Sequence, residues 1–487
     1  MWLRLRRLGG QSGLYLVGDA LSKSLALLLL PLYLSFLKPA DYGILAIGTT
    51  LTVLLAIVLG LALQGAIQRV YFELPTEDER RTLYATVLAF LLVVPGLALV
   101  VLELLGRAGA LDLFPSVPYD PYLRLAVVTA YFNVFREIPV AIYTVRGQAG
   151  RVVALLVSNA LLTAGLTVVL VIFEGRGALG ALEALLIAAG VIAVASIVLT
   201  IHEAHFRVSS RLLRVSLLFG LPLVPHLVGH WVLALADRAV LDRFVAADVV
   251  GPYALGANVA AGVILLINGS GRAFTPTMTR EMKGPDGGSR VPILGTWWIA
   301  GMVWCCVAVA LFGGPLIRLL FDQGYAEAST YIPVLVAAYL ALGVYTVVTQ
   351  GTWFSMRMRM VPVLTLLAGL LNVSLAIVLV PRIGAIGAAV ATLVGFVALA
   401  LMQGILSQRL HPIPWEYRRW ALLLLAGALA FAVGSFPGDE PTATGFALRV
   451  VALVAVFPGV LFALRFFSDR ELVALKGRVR RLRPESS

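Results

Sequence analysis

Two pairs of oppositely charged residues lie in stretches of this chain that are otherwise apolar. Asp19 and Lys23 are four residues apart in LVGDALSKSLALLLLPLYLSFL, and Arg136 and Glu137 are neighbours in YFNVFREIPVAIY. Charged residues at bilayer depth are costly and generally face a polar interior rather than lipid. The spacing of four places Asp19 and Lys23 on one helical face. The pairs therefore predict a polar cleft between membrane helices.

A purely structural role is the alternative for both pairs. Asp19 and Lys23 would then neutralise each other and only fix helix packing. For Arg136 and Glu137 an internal ion pair is less natural, because adjacent helical side chains point about 100° apart.

The composition places these pairs in a membrane protein. Of the 487 residues, 60% are hydrophobic and 13% are charged, and the mean hydropathy is +0.94. A helix needs about 20 apolar residues to cross the hydrocarbon core. Continuous runs of this length predict an all-α polytopic protein with about 14 transmembrane helices rather than a barrel. The predicted spans are approximately 13–37, 43–68, 82–105, 122–145, 152–173, 178–201, 213–236, 248–270, 292–312, 330–351, 360–380, 386–406, 419–435 and 444–465.

The distribution of basic residues predicts the orientation. With the N-terminus in the cytoplasm, 27 of the 38 Lys and Arg residues lie in cytoplasmic segments, 8 in outer loops and 3 within spans. Cytoplasmic loops of membrane proteins are enriched in these residues. We therefore expect both termini in the cytoplasm. The net charge of +12 then reflects topology and contact with anionic membrane lipids, and we predict no nucleic-acid partner.

The loops leave no room for a separate catalytic domain. We predict that the chain is not an enzyme, has no cofactor or metal, and does not hydrolyse ATP, because the sequence contains no P-loop. Cys305 and Cys306 are adjacent within a span and are interpreted as small helix-packing residues. The longest loops are about 69–81, 106–121, 202–212 and 271–291.

Two separate turns indicate an internal repeat. Aligning Asp41 of PADYGILAIG with Asp248 of AADVVGPYALG gives an offset of 248 − 41 = 207, and GALGA (177–181) and GAIGA (384–388) give 384 − 177 = 207. Two pseudo-symmetric six-helix bundles with a central cleft follow, related by an axis along the membrane normal. The predicted segments are an N-terminal lobe (1–207), a C-terminal lobe (208–412), two additional transmembrane helices (413–466) and a basic cytoplasmic tail (467–487).

The offset also relates the first helices of the two lobes. It maps Asp19 onto His226 and Lys23 onto His230, so each helix carries an ionisable pair at positions i and i+4. We expect both pairs to line the cleft. Core histidines bonded to the backbone are the alternative for the second pair.

Other polar residues within the spans have two interpretations each. Asp237 and Arg238, near the outer end of span seven, either form a gate or lobe contact or simply end the helix. Neutral amides in spans either line the cleft or hold helices together. The amides considered are Gln64, Asn133, Asn159 and Asn372.

Three stretches resemble a known family. LPLYLSFLKPADYGILAIGTTL (30–51), LADRAVLDRFVAADVVGPYALG (235–256) and VPRIGAIGAAVATLVG (380–395) are similar to bacterial polysaccharide-export flippases of the multidrug/oligosaccharidyl-lipid/polysaccharide (MOP) transporter superfamily. The resemblance implies two six-helix bundles plus two C-terminal helices, working by alternating access in the cytoplasmic (inner) membrane. It implies transfer of an isoprenoid-diphosphate-linked oligosaccharide from the inner to the outer leaflet.

The resemblance also implies roles for the polar residues. A coupling H⁺ or Na⁺ would bind Asp19 and Glu137, because the proton affinity of a buried carboxylate changes as a cleft opens or closes. A polysaccharide polymerase or glycosyltransferases are the protein partners it suggests. The candidates for phosphate are Lys23, Arg136, His226 and His230. The candidates for sugar hydroxyls are Gln64, Asn133, Asn159 and Asn372.

Two other functions stay open from the sequence alone. A multidrug or small-cation exporter of the same superfamily would favour a few buried acids and an aromatic cavity. A non-transporting scaffold or channel is the third possibility, and the repeat and the kinked, polar spans argue against it.

Overall fold

All regular structure in the described part of the chain is helical. The computed structural model describes residues 30–31, 33–109, 114–205, 207–284, 288–321, 323–467 and 471, and these residues contain no β-strand. The helices are α1 (Pro39–Gly60), α2 (Leu63–Val70), α3 (Glu77–Arg107), α4 (Arg124–Val145), α5 (Ala149–Thr167), α6 (Gly177–Glu203), α7 (Ser210–Gly220), α8 (Val224–Asp242), α9 (Ala247–Ala260), α10 (Gly262–Met282), α11 (Val291–Leu320), α12 (Ala328–Val348), α13 (Gln350–Phe354), α14 (Val361–Ile383), α15 (Ala385–Leu410), α16 (Tyr417–Ser435), α17 (Ala443–Val451) and α18 (Phe457–Ala463).

Thirteen stretches of the described chain are long and apolar enough to cross a membrane. Some consist of two helices in line, such as Ser210–Asp242, in which α7 and α8 are joined by the single turn Leu221–Leu223. The predicted all-α polytopic fold is confirmed. The first predicted span, 13–37, lies largely outside the described residues.

Local sequence fixes where the helices begin. At the start of α3, Thr76 Oγ1 accepts a hydrogen bond from the Glu79 N–H at 3.3 Å, as an N-cap does. At the start of α6, Gly177 has a φ of +55°, which favours glycine, and Asp41 Oδ1 accepts from the Ala178 N–H at 3.4 Å. Asp41 and Gly177 belong to the two motifs that define the first copy of the repeat, so these motifs are in contact.

The helix starts keep the spacing of the repeat to within one residue. The starts of α1 and α9 are 247 − 39 = 208 residues apart, and those of α6 and α15 are 385 − 177 = 208 residues apart. This spacing supports the two-lobe organisation, which remains a proposal.

Two compact units make up the described chain, each with its own apolar core. The core of unit 1 includes Ile67, Tyr84 and Phe135, and the core of unit 2 includes Val303 and Leu423. Unit 1 comprises residues up to Leu255 with Phe321–Glu327 and Arg359–Gly395, and unit 2 comprises Gly256–Leu320, Ala328–Met358 and residues from Phe396 onward.

Within unit 1, the first turns of α1 and α9 are in direct backbone contact. A Cβ atom on Gly43 would overlap the carbonyl oxygen of Ala247, and a Cβ on Gly251 would overlap that of Pro39. The contact is reciprocal, because each glycine meets the residue four positions before the other. Small residues permit such close approach between membrane helices. We call these four residues the glycine junction.

Candidate functional site

A cavity of about 330 Å³ lies in unit 1 among helices α1, α2, α3, α4 and α8. It is lined mostly by apolar side chains, with a few polar ones. Ligand pockets commonly have volumes of about 300–1,000 Å³, so this cavity accommodates a small polar group or one part of a larger ligand. Its polar lining consists of Thr52, Gln64, Asn133, Arg136 and Glu137.

The charged part of the cavity is an ion pair between sequence neighbours. Arg136 Nη2 lies 3.3 Å from Glu137 Oε1, although adjacent helical side chains were expected to diverge. The two side chains are 23% and 38% exposed. Arg136 Nε is buried and has no hydrogen-bond partner among the described residues. Leaving a buried donor unpaired costs about 1–3 kcal/mol.

A break after α1 brings a third polar group to the cavity wall. Leu61 and Ala62 have φ angles of 47° and 53°, a conformation that costs non-glycine residues about 1–2 kcal/mol. The chain then restarts as α2, whose second residue, Gln64, lines the cavity. Strained backbone of this kind often occurs at functional sites. Asn133 comes from α4, one turn before Arg136 and Glu137.

The two histidines lie side by side on α8. The ring centroids of His226 and His230 are 4.8 Å apart, with the planes nearly perpendicular. His226 Nδ1 is buried and has no hydrogen-bond partner in the described part of the chain. The neighbouring Leu227 lines the cavity, whereas the histidines do not. Asp19 and Lys23 lie outside the described residues.

Asp237 and Arg238 are buried at the far end of α8. Asp237 is 3% exposed, its Oδ2 accepts from the Tyr253 hydroxyl of α9 at 2.6 Å, and its Oδ1 accepts from the Arg238 N–H at 2.8 Å. A solvated helix end would leave these groups exposed. This hydrogen bond joins α8 to α9, the helix that carries Gly251 of the glycine junction.

The other two predicted amides are not in the cavity. Asn372 is fully buried between α14 and α15, and its Nδ2 donates to Thr392 Oγ1 at 3.2 Å. Asn159 lies on α5, and its backbone carbonyl accepts from Thr163. The structure thus gathers Gln64, Asn133, Arg136 and Glu137 in one place, and puts the remaining described candidates elsewhere.

Some polar contacts were not foreseen from the sequence. Thr52 lines the cavity while its hydroxyl donates to the Gly48 and Ala126 carbonyls. Ser116 donates to Asp242 at the end of α8. A search for Ser and Thr within the spans would have found Thr52, but the Ser116 contact depends on tertiary folding. Among the described residues, no group of three or more His, Cys, Asp or Glu side chains is placed to hold a metal ion.

Comparison with solved structures shows which known proteins share this fold. Lipid II flippase MurJ, in an inward closed conformation, has a TM-score of 0.75 at 15% identity, covering 93% of this chain and 99% of that chain. An inward-facing multidrug resistance MATE family transporter of the MOP superfamily has a TM-score of 0.63 at 16% identity, covering 82% and 95%. A mutant of the Vibrio cholerae MATE transporter VcmN has a TM-score of 0.56 at 16% identity, covering 83% and 96%. The fold is therefore that of the transporters and flippases of the MOP superfamily.

The family follows from the sequence comparison. The model of the family described as "Polysaccharide biosynthesis protein" matches residues 9–282, more than half of the chain. The chain belongs to that family, as the three motifs predicted. No curated protein sequence matches the chain significantly.

Proposed function

We propose that this protein flips an isoprenoid-diphosphate-linked oligosaccharide from the inner to the outer leaflet of the cytoplasmic membrane for polysaccharide export. The family supports a role in polysaccharide biosynthesis. The fold is shared with a lipid II flippase, whose name identifies a lipid-linked cargo, and with MATE transporters. Flipping requires groups that replace water around the sugar and diphosphate while the lipid tail stays in the bilayer.

The observation that carries the proposal is the partly exposed guanidinium side chain of Arg136 on the wall of the cavity. A guanidinium offers five N–H donors in a planar fork, which suits phosphate oxygens. Glu137 contacts only one nitrogen of the Arg136 guanidinium, Nη2. Gln64 and Asn133 supply amides for sugar hydroxyls on the same wall. In this proposal Lys23 and the histidines extend the polar path, and Asn159 and Asn372 are less favoured as ligands because they lie outside the cavity.

We further propose that the glycine junction, with Asp237 and Arg238, forms a gate on the outer side, the side predicted from the basic residues. Alternating access then opens the junction while the cavity closes. Glu137, with Asp19, binds the coupling H⁺ or Na⁺: uptake of the ion weakens the pair with Arg136 and releases the guanidinium for cargo. Both termini face the cytoplasm in this scheme.

Gene deletion with complementation tests the function. Loss of the protein is expected to accumulate lipid-linked oligosaccharide on the inner leaflet, and the wild-type chain should reverse this. Arg136→Gln should not reverse it, and Arg136→Lys, which keeps the charge but loses the planar fork, should reverse it in part. Arg124→Gln is the matched control. Arg124 lies on the same helix and also pairs with a glutamate, Glu103 at 3.2 Å, but is outside the cavity.

Three outcomes would contradict the proposal in whole or in part. If deletion leaves the leaflet distribution of the lipid-linked sugar unchanged, the protein is not its flippase. If deletion instead raises intracellular retention of organic cations, the exporter function takes its place. Normal complementation by well-expressed Arg136→Gln would remove Arg136 from the mechanism.

A further inference from the structure

A second cavity in unit 1 shares no lining residue with the polar site described above. It has a volume of about 590 Å³ and runs between α5 and α6, close to the ends of both helices that are predicted to face the cytoplasm. Arg151, His202 and Glu203 are at its mouth, and Ala154, Ser158 and Ala195 continue along it. From Arg151 to Ser158 the distance along the helix is about 10 Å, at about 1.5 Å per residue.

The groove opens toward the bilayer. Val191, Val194 and Val198, on the adjoining face of α6, are 52%, 62% and 47% exposed, as expected for side chains that contact hydrocarbon. On α5, Thr167 is fully buried and its hydroxyl is 3.2 Å from that of Tyr33 in the first span. Thr167 is about 160° around the helix from Arg151, at about 100° per residue. The groove is therefore on the opposite side of α5 from the first span.

The mouth of the groove presents the basic side chains of Arg151 and His202 beside the acidic side chain of Glu203. The Arg151 guanidinium lies 5.2 Å from the centre of the Tyr143 ring, which orients it, and its contact with Glu203 is long, at 3.7 Å. Glu203 is already engaged by Arg146 at 2.5 Å, and Arg146 also binds Glu77 at 2.5 Å. Burial lowers the pKa of Arg146, but the hydrogen bond to Glu203 and the charges of Glu203, Glu77 and Tyr84 together outweigh it, so the pKa is raised and this cation stays charged.

The lining of the groove becomes less polar with depth, as a phospholipid does from its headgroup to its acyl chains. The Arg151 side chain, at the mouth, is 59% exposed. Deeper in, Ser158 is exposed, and its hydroxyl makes no hydrogen bond within the described residues, unlike Thr163 one turn later, which donates to a carbonyl. A hydroxyl facing hydrocarbon without a partner is costly. The rest of the lining consists of two alanines, two leucines, Ile192, Tyr143 and Glu203.

We propose that this groove binds an anionic phospholipid of the inner leaflet. Arg151 and His202 contact the phosphate, Ser158 donates to an ester carbonyl, and one acyl chain follows α6 into the bilayer. The occupant is a membrane lipid because Arg151 lies at the mouth while Glu203 is paired with Arg146, the body is largely apolar, and the inner leaflet is rich in anionic headgroups. The site is independent of the cargo cavity, so it does not depend on the proposed flippase function.

Native mass spectrometry of the delipidated protein in detergent tests the site. With dioleoylphosphatidylglycerol added, wild-type protein is expected to retain one lipid more tightly than it retains dioleoylphosphatidylcholine. Arg151→Gln should weaken retention of the anionic lipid about fivefold, corresponding to about 1 kcal/mol for one basic residue near a membrane surface. Ser158→Ala should weaken retention of both lipids by a smaller factor. Thermal unfolding of each variant establishes that it is folded.

Arg69→Gln is the matched control. The Arg69 side chain is 61% exposed and pairs with Glu73 at 2.9 Å, so it matches Arg151 in exposure and in having a glutamate partner. It should retain the lipid as the wild type does. The proposed site would be overturned if Arg69→Gln and Arg151→Gln weakened retention of the anionic lipid equally, or if Arg151→Gln did not weaken it. Retention of undecaprenyl diphosphate but not phosphatidylglycerol at Arg151 would overturn the assignment to a membrane lipid and place the groove on the cargo route.

Discussion

The glycine junction and the polar cavity are two regions of the same unit with opposite packing. At the junction, Gly43 and Gly251 allow backbone to touch backbone, and there is no space for even a methyl group. In the cavity, Arg136 and Glu137 are partly exposed around about 330 Å³ of open space, and a donor is unpaired. The junction has its contacts satisfied within the chain, whereas the cavity leaves contacts for something that enters it.

This contrast shows where stability and binding reside. Close-packed regions resist added volume, because neighbouring atoms have no room to move. Partly exposed charges contribute little to stability, since solvent screens them. We therefore expect substitutions at the junction to change folding strongly, and substitutions in the cavity to change transport with little effect on folding.

The largest effect is expected from Gly43→Ala or Gly251→Ala. The new methyl group would overlap a backbone carbonyl, so the helices must separate, at a cost of about 3 kcal/mol. The unfolding temperature in detergent should fall by several degrees, and export should fall with it. Gly165→Ala is the control, because no atom lies within 4 Å of the added Cβ at that position. An unchanged unfolding temperature in both junction variants would show that the helices are not packed this closely.

A smaller effect is expected from Asp237→Ala. This change removes the acceptor of the Tyr253 hydroxyl, a buried hydrogen bond, and should cost about 2 kcal/mol. Differential scanning fluorimetry in detergent would measure it. Asp248→Asn, at an exposed position on α9, should be neutral. Equal unfolding temperatures for the two variants would mean that Asp237 only ends its helix.

The smallest effect on stability is expected from Glu137→Gln. Its ion pair with Arg136 is partly exposed, so the cost should be below about 1 kcal/mol. The variant should nevertheless lose the dependence of transport on the ion gradient in a vesicle assay. Glu103→Gln breaks the comparable pair with Arg124 outside the cavity and should keep that dependence. A large fall in unfolding temperature for Glu137→Gln alone would make the pair structural rather than functional.

Long-range sequence patterns predicted the fold well. Apolar runs of about 20 residues predicted the all-α polytopic architecture, which is confirmed, and the motifs around Asp41, Asp237 and Gly384 predicted the family. The apolar runs and the family motifs each extend over many residues, so neither depends on a single side chain. Asn133, Arg136 and Glu137 lie within about one turn of a single helix, so their proximity also followed from the sequence.

Features that depend on tertiary contact were beyond prediction. The polarity of Gln64 predicted it as a candidate, but the turn at Leu61 and Ala62 that brings it to the cavity was not predicted, because neither residue is a glycine or a proline and Gly60 alone does not specify a turn. Asn372 had the same type and setting as Asn133, yet it packs against Thr392. A polar side chain within a span indicates that a hydrogen-bond partner is needed. The sequence does not indicate which residue or ligand is that partner. The roles of the predicted site residues stay predictions.

The reciprocal form of the glycine junction is that of an isologous dimer interface, in which one surface patch meets its own copy across a two-fold axis. Between two identical subunits such a contact is lost on dilution, because the dimer dissociates. A single substitution there appears in both subunits and so changes both halves of the contact. With both partners in one chain, the contact is independent of protein concentration, and a substitution at Gly43 or Gly251 alters only one half of it.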